Sequence, residues 1–157
     1  MFLLSLPLWI GLAGLTSCKE DVTSPTLNGD VARPAWTAPA DYDYTSSMTA
    51  VVKVSLSKKY PTMSADWKLQ DEDVLAAFIG DVCCGVVSPQ DGLFYLYITG
   101  PTTNDEQQTT NDQLVTLRYY SAHFKNLFEA KEVFEFKNDD HLGTVSEPFM
   151  PVFVVAK

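Results

Sequence analysis

Two cysteines stand side by side in the stretch Gly80-Asp81-Val82-Cys83-Cys84-Gly85-Val86-Val87. Adjacent thiols can hold a metal, cycle as a redox pair or close a strained disulfide, and each chemistry makes a demand on the rest of the chain. Zinc takes about four ligands, usually from spaced Cys or His pairs. The two histidines, His123 and His141, have no ligand spacing to Cys83-Cys84. Thioredoxin-like chemistry uses Cys-x-x-Cys at a helix N-terminus, which lowers the thiol pKa; neither feature is evident. A vicinal disulfide needs a backbone far from the extended form, whereas the apolar residues here read as a strand. The pair is therefore expected to be two ordinary strand residues on opposite faces, one a small core hydrophobe and one facing solvent or a loop.

Carboxylates cluster at Asp71-Glu72-Asp73 and Asp139-Asp140 and would suit calcium, a hard cation that prefers oxygen ligands. Neither run follows a calcium-loop pattern, so solvated turns are the expectation, with no metal and no cofactor. Aromatic residues are more informative. Trp36, Tyr60, Trp67, Tyr95, Tyr97 and Tyr119 exceed the internal needs of a small fold. Exposed rings of this kind stack on sugar faces or anchor a protein partner. Trp36, Trp67, Tyr95, Tyr97 and Tyr119 are the candidate ligand contacts, against core and hairpin packing as the plain reading. The sequence has no Gly-x-Ser-x-Gly elbow, no His-Glu-x-x-His and no phosphate-binding Gly-rich loop. His123, in Ser121-Ala122-His123-Phe124-Lys125-Asn126, reads as a surface turn residue. The expectation is a chain that is not an enzyme.

The elements that position these residues read as β. Met48, Ala50, Val52, Val54 and Leu56 alternate with Thr49, Val51, Lys53, Ser55 and Ser57, the period of a half-buried strand. Leu75–Ile79 and Val82–Val87 flank Gly80-Asp81, a tight-hairpin signal because Gly supplies the positive φ that primed turns need. The Glu72–Phe78 stretch also has good helix formers, but a strand from Leu75 is preferred. Pro89-Gln90-Asp91-Gly92 is a second turn. It feeds Leu93–Thr99, with Leu93, Tyr95, Tyr97 and Thr99 on one face and Phe94, Leu96 and Ile98 on the other. Residues 100–112 are a polar loop. Gln113–Tyr120, Asn126–Ala130, Glu132–Lys137 and the closing Pro148–Ala156 are further strands, the two prolines of the last arguing for an edge or a bulged entry. Many short strands separated by turns predict an all-β antiparallel sandwich, immunoglobulin-like or jelly-roll-like, over residues 47–157.

The N-terminus has a different logic. The apolar run Phe2–Leu15 is short for a bilayer span but suits a signal-peptide core. It ends in Leu15-Thr16-Ser17-Cys18, which resembles the bacterial lipobox. That resemblance implies a signal peptide over residues 1–17, cleavage before Cys18, and lipid attachment there as the membrane anchor. Lys19-Glu20-Asp21 resembles the surface-export signal of Bacteroidetes lipoproteins, which places the protein on the outer membrane facing outward. Residues 18–46, punctuated by Pro25, Gly29, Pro34 and Pro39, read as a flexible tether. The end of that tether, with Trp36 and Tyr42-Asp43-Tyr44, is expected to pack on the sandwich. The net charge of −9 (11 Lys and Arg, 20 Asp and Glu) repels phosphate backbones and excludes nucleic acid as a partner class.

Asp73, Ala77-Phe78-Ile79-Gly80-Asp81, Cys83 and Gly85 resemble a module widespread in Bacteroidetes surface and secreted proteins. Its pattern is an acidic lead-in, Ala-Phe, an aliphatic residue, Gly, an acidic residue, one more residue, then Cys-Arg-Gly and aliphatic residues. The resemblance extends over about Trp36 to Val155 and implies a β-sandwich on an extracellular or lipid-anchored protein. It implies no activity. It also marks Cys83 as a core residue and Cys84 as a departure, a thiol at the Arg position. The expected function is a surface-exposed, non-enzymatic binding or accessory module for a cell-envelope or host protein. The alternatives are a glycan-binding component of a nutrient-uptake system, and a structural adhesin or filament subunit.

Overall fold

The computed structural model describes residues 27, 29–38, 46–100 and 114–157. The chain is an all-β sandwich of two sheets. In order it forms β1 (Ser47–Val52), a single helical turn α1 (Pro61–Ser64), β2 (Val74–Ile79), β3 (Val82–Val87) and β4 (Phe94–Thr99), then β5 (Leu114–Ser121), β6 (Asn126–Ala130), β7 (Phe134–Glu135), β8 (His141–Leu142) and β9 (Phe153–Val155). A three-stranded sheet has the order β4-β1-β8. A six-stranded sheet has the order β3-β2-β5-β6-β9, with β7 also on β5. The pairings are antiparallel except β1 with β8, which run parallel. Among the described residues no helix is long and apolar enough to cross a membrane.

The alternation read from the sequence decides what each strand buries. β1 sends Met48, Ala50 and Val52 inward, and β4 sends Phe94, Leu96 and Ile98. They meet Leu75, Ala77, Val115, Leu117, Tyr119, Phe128 and Phe153 from the six-stranded sheet. Phe94 packs edge-on against Tyr119 at 6.0 Å between centroids, and Tyr119 in turn packs on Phe128 and Phe153. Aromatic contacts of this geometry add to the stabilisation from area burial alone. The ladder of β1 with β4 ends at Val52, short of the expected Ser57, where it meets Phe94 at the start of β4, while on the other side of β1 Lys53 N donates to the Phe149 carbonyl at 2.9 Å. Val54 and Leu56 stay buried beyond it.

Two turns behave as their residues require. Ile79 pairs with Val82 across Gly80-Asp81, and Gly80 takes φ +59°. Asp91 (φ 50°) and Gly92 (φ 80°) are both left-handed, as a type I′ turn demands, and Gln90 and Leu93 exchange backbone hydrogen bonds around them. This second turn does not join paired strands. It carries the chain from β3 in one sheet to β4 in the other. There the two strands approach closely: a Cβ on Gly85 would lie 2.4 Å from the Tyr97 carbonyl oxygen. Only glycine permits that approach.

β9 lies at the edge of its sheet, as the prolines before it suggested. The N–H of Val155 donates to the Tyr60 hydroxyl at 3.1 Å. Tyr60 itself is 7 % exposed and packs toward Phe128, so it belongs to the core and not to an aromatic contact surface.

Candidate functional site

The outer face of the three-stranded sheet is built by the same alternation that fills the core. Since Phe94, Leu96 and Ile98 point inward, Tyr95 and Tyr97 point outward, and they are 38 % and 54 % exposed. Residues i and i+2 on a strand stand about 7 Å apart on one face, which makes the rings neighbours. The register places Tyr97 opposite Thr49 and Thr49 opposite His141, and it places Tyr95 opposite Val51. The Thr49 hydroxyl and His141 Nδ1 share a hydrogen bond of 2.6 Å. The site is thus a short cross-strand row of phenol, hydroxyl and imidazole beside a second phenol and an aliphatic residue. Such a surface offers apolar ring area with hydrogen-bonding tips, the combination that anchors recognition.

The outer face of the six-stranded sheet carries Trp36. Residues 29–38 cross this face, and contact begins upstream of the tether's expected packed end: Asn126 Nδ2 donates to the Gly29 carbonyl at 3.2 Å and Val31 N to the Lys125 carbonyl at 2.8 Å. Trp36 meets Phe78 edge-on at 5.6 Å. The Arg118 guanidinium lies over the same Phe78 ring, 4.4 Å from its centroid, while its Nε donates to Glu129 at 3.3 Å. An open cleft of about 570 Å³ lies between Trp36, Arg118, Leu127, Glu129 and Val154. A second, of about 390 Å³, lies on the other side of Trp36 against Val74 and Val86.

Tyr119 is not a ligand contact. It is 0 % exposed because β5 places it on the inward face with Val115 and Leu117. Its hydroxyl donates to Asp73 Oδ2 at 2.6 Å and accepts from Trp67 Nε1 at 3.2 Å. Trp67 is half-buried and packed against the core, so its indole N–H serves this interior network. Asp73 is also 0 % exposed, and it accepts from Ala122 N at 2.7 Å and Gln70 N at 3.1 Å. Burial pushes its carboxyl above the usual range, while the donors from Tyr119, Ala122 and Gln70 oppose that rise. Burial likewise pushes the Tyr119 phenol far up. The Asp71-Glu72-Asp73 run is therefore divided, with two carboxylates in solvent and the third committed inside. Among the described residues, no three His, Cys, Asp or Glu side chains are grouped to hold a metal.

The cysteine pair is reversed from its expected orientation. Cys84 is 4 % exposed and part of the core, whereas Cys83 is half-buried. The cause is a β-bulge. Ala77 pairs with Gly85 but Phe78 pairs with Cys83, leaving Cys84 as the extra residue. A one-residue slip exchanges the two faces of a strand, so Cys83 turns outward with Phe78 and Cys84 turns inward. The Cys84 carbonyl accepts from the Thr99 hydroxyl at 3.0 Å, tying the bulge to β4. Both thiols are free, and burial raises the pKa of each. A thiol held protonated is a poor nucleophile.

His123 is exposed in the β5–β6 turn as read, and its ring meets Phe124 edge-on at 4.7 Å. His141, Thr49 and Arg118 were missed as site residues. Thr49 was legible as an outward β1 position. The two residues of β8 carry no periodicity of their own, and the Arg118–Phe78 contact exists only once β2 and β5 are in register. Cys18, Lys19, Glu20, Asp21, Tyr42 and Tyr44 lie outside the described residues. No family model, curated protein or solved structure matches this chain.

Proposed function

We propose that this chain is a lipid-anchored, surface-displayed sandwich that acts as a non-enzymatic binding module, with a cell-envelope or host protein as its partner. The observation that carries the reading is the exposed Tyr95–Tyr97 pair on the outer face of β4, beside Val51 and the Thr49–His141 hydrogen bond. Tyrosine is enriched at binding hot spots because it buries a large rigid area and still hydrogen-bonds. The anchor rests on Leu15-Thr16-Ser17-Cys18, the outward display on Lys19-Glu20-Asp21, and both agree with the module resemblance around Ala77-Phe78-Ile79-Gly80.

Two neighbouring rings on one sheet face also suit a sugar, so a glycan partner is the second reading. A glycan array probed with the wild-type chain and a Tyr95→Ala/Tyr97→Ala variant separates the two. A clean negative supports the protein reading. A reproducible hit that the variant loses replaces it with the glycan reading. Surface display is checked separately, by protease treatment of whole cells; a chain fully protected in intact cells refutes that part.

A further inference from the structure

Residues 29–38 cross the six-stranded sheet without entering its ladder. Among the described residues one backbone–backbone hydrogen bond holds them, Val31 N to the Lys125 carbonyl at 2.8 Å. The other polar ties use side chains: Asn126 to the Gly29 carbonyl at 3.2 Å, the Tyr120 hydroxyl to the Val31 carbonyl at 3.3 Å, and Arg33 Nε to the Glu72 carbonyl at 3.0 Å. The Asp30–Lys125 ion pair is 3.8 Å long with both side chains exposed, and pairs of that kind contribute little. Beneath lies β2, every residue of which is buried, including the outward-facing Val74, Ala76 and Phe78. A strand whose outer face met water would alternate. β2 does not: Trp36 packs edge-on to Phe78, and residues 33–37 form the far wall of the cleft over Val74. Yet open clefts flank Trp36 on both sides. The cover is narrow, and water reaches both of its margins.

The geometry points to residues 29–38 being a releasable strap, a unit that opens and closes over β2 and β5 while the sandwich beneath stays folded. Its polar attachments are few and none of residues 29–38 is itself buried, whereas β2 and β5 are central strands bonded on both sides. Segments with few buried contacts and few backbone bonds open locally at free energies well below global unfolding. Opening uncovers the side of Phe78 that Trp36 now meets and joins the two clefts that share Trp36 into one face, apolar at Phe78 and Val74 and charged at Arg118 and Glu129. Where the chain is anchored at Cys18, a step that rests on the proposed function, opening also frees ten residues of leash, roughly 30 Å of added reach when extended.

Hydrogen exchange on the full chain in detergent, read at single-amide resolution, tests the strap. The Val31 amide is expected to exchange at least roughly 100-fold faster than Ala76 and Leu117 at neutral pH. Trp36→Ala is expected to speed Val31 by about another tenfold, through the lost ring contact, with Ala76 and Leu117 unchanged. A Val31 rate within tenfold of the β2 and β5 amides overturns the proposal. So does a Trp36→Ala variant in which all three amides speed up together. Repeating the measurement in Cys18→Ala separates the two readings: the same rates in that variant keep the strap whatever becomes of the anchor.

Discussion

Removing one oxygen atom, in Tyr119→Phe, tests whether the buried Asp73 is held as the hydrogen bonds indicate. The Tyr119 hydroxyl donates to Asp73 at 2.6 Å and accepts from Trp67, and both Tyr119 and Asp73 are 0 % exposed. A hydrogen bond to a charged group contributes about 1.5–3 kcal/mol and one between neutral groups about 0.5–1.5. The loss should therefore depend on the protonation of Asp73. Burial raises its folded pKa above the ordinary 3.8. The folded state then binds the proton more tightly than the unfolded state. The group's favourable contribution is complete below 3.8 and is lost as pH rises through the folded value. Tyr119 opposes that rise, so deleting its hydroxyl lifts the folded pKa further and widens the window. The variant is expected to lose about 2 kcal/mol at pH 7, a fall in Tm of roughly 4–8 °C for a chain of this size, and about 1 kcal/mol at pH 3.5. Urea unfolding of both proteins at both pH values measures the two gaps. A penalty below about 0.5 kcal/mol at pH 7, or one equal at the two pH values, refutes the assignment of Tyr119 as the donor that stabilises the ionised carboxylate.

Gly85→Ala is expected to cost about 1–3 kcal/mol in thermal or urea melts, because the new Cβ meets the Tyr97 carbonyl at 2.4 Å; an unchanged midpoint would mean that β3 and β4 do not approach as described. Cys84→Arg places a cation in the core beside the bulge and should cost about 3 kcal/mol or more; a tolerated arginine would show that β3 sheds its bulge and returns position 84 to the outer face. Tyr95→Ala/Tyr97→Ala should leave stability within about 1 kcal/mol, since neither ring belongs to the core, and a larger loss would assign them to packing. Cys18→Ala should release the protein from the membrane fraction, and undiminished palmitate labelling would remove the anchor.

Strand identity was legible wherever one face met water. The alternations of β1 and β4 divided each strand into its two faces, and the packing of the second sheet decides which face is buried, Phe94, Leu96 and Ile98 inward and Tyr95 and Tyr97 outward. Tyr119 was misassigned for a related reason. Tyrosine suits both core and surface, and its position on β5 becomes decisive only once the buried carboxylate partner is known. Asp73 looked like its neighbours Asp71 and Glu72, and nothing in a run of acids marks which one turns inward. The cysteine faces failed because one extra residue in β3 inverts the pattern, and a bulge leaves no mark in composition. β8 is two residues long and is defined by its parallel partner alone.

The hydrogen bond from Val155 to Tyr60 has a consequence for how copies of this chain behave when crowded. An edge strand invites a neighbour to continue its ladder. β9 is three residues long, and its Val155 N–H is already occupied by a phenolic hydroxyl rooted in the core. A second chain arriving there finds no free donor at that position and would have to displace a buried side chain to gain one. One tyrosine thereby occupies, from within the core, a donor that a further strand at this edge would need. Tyr60→Phe would leave the fold's interior nearly full while reopening the edge to other copies.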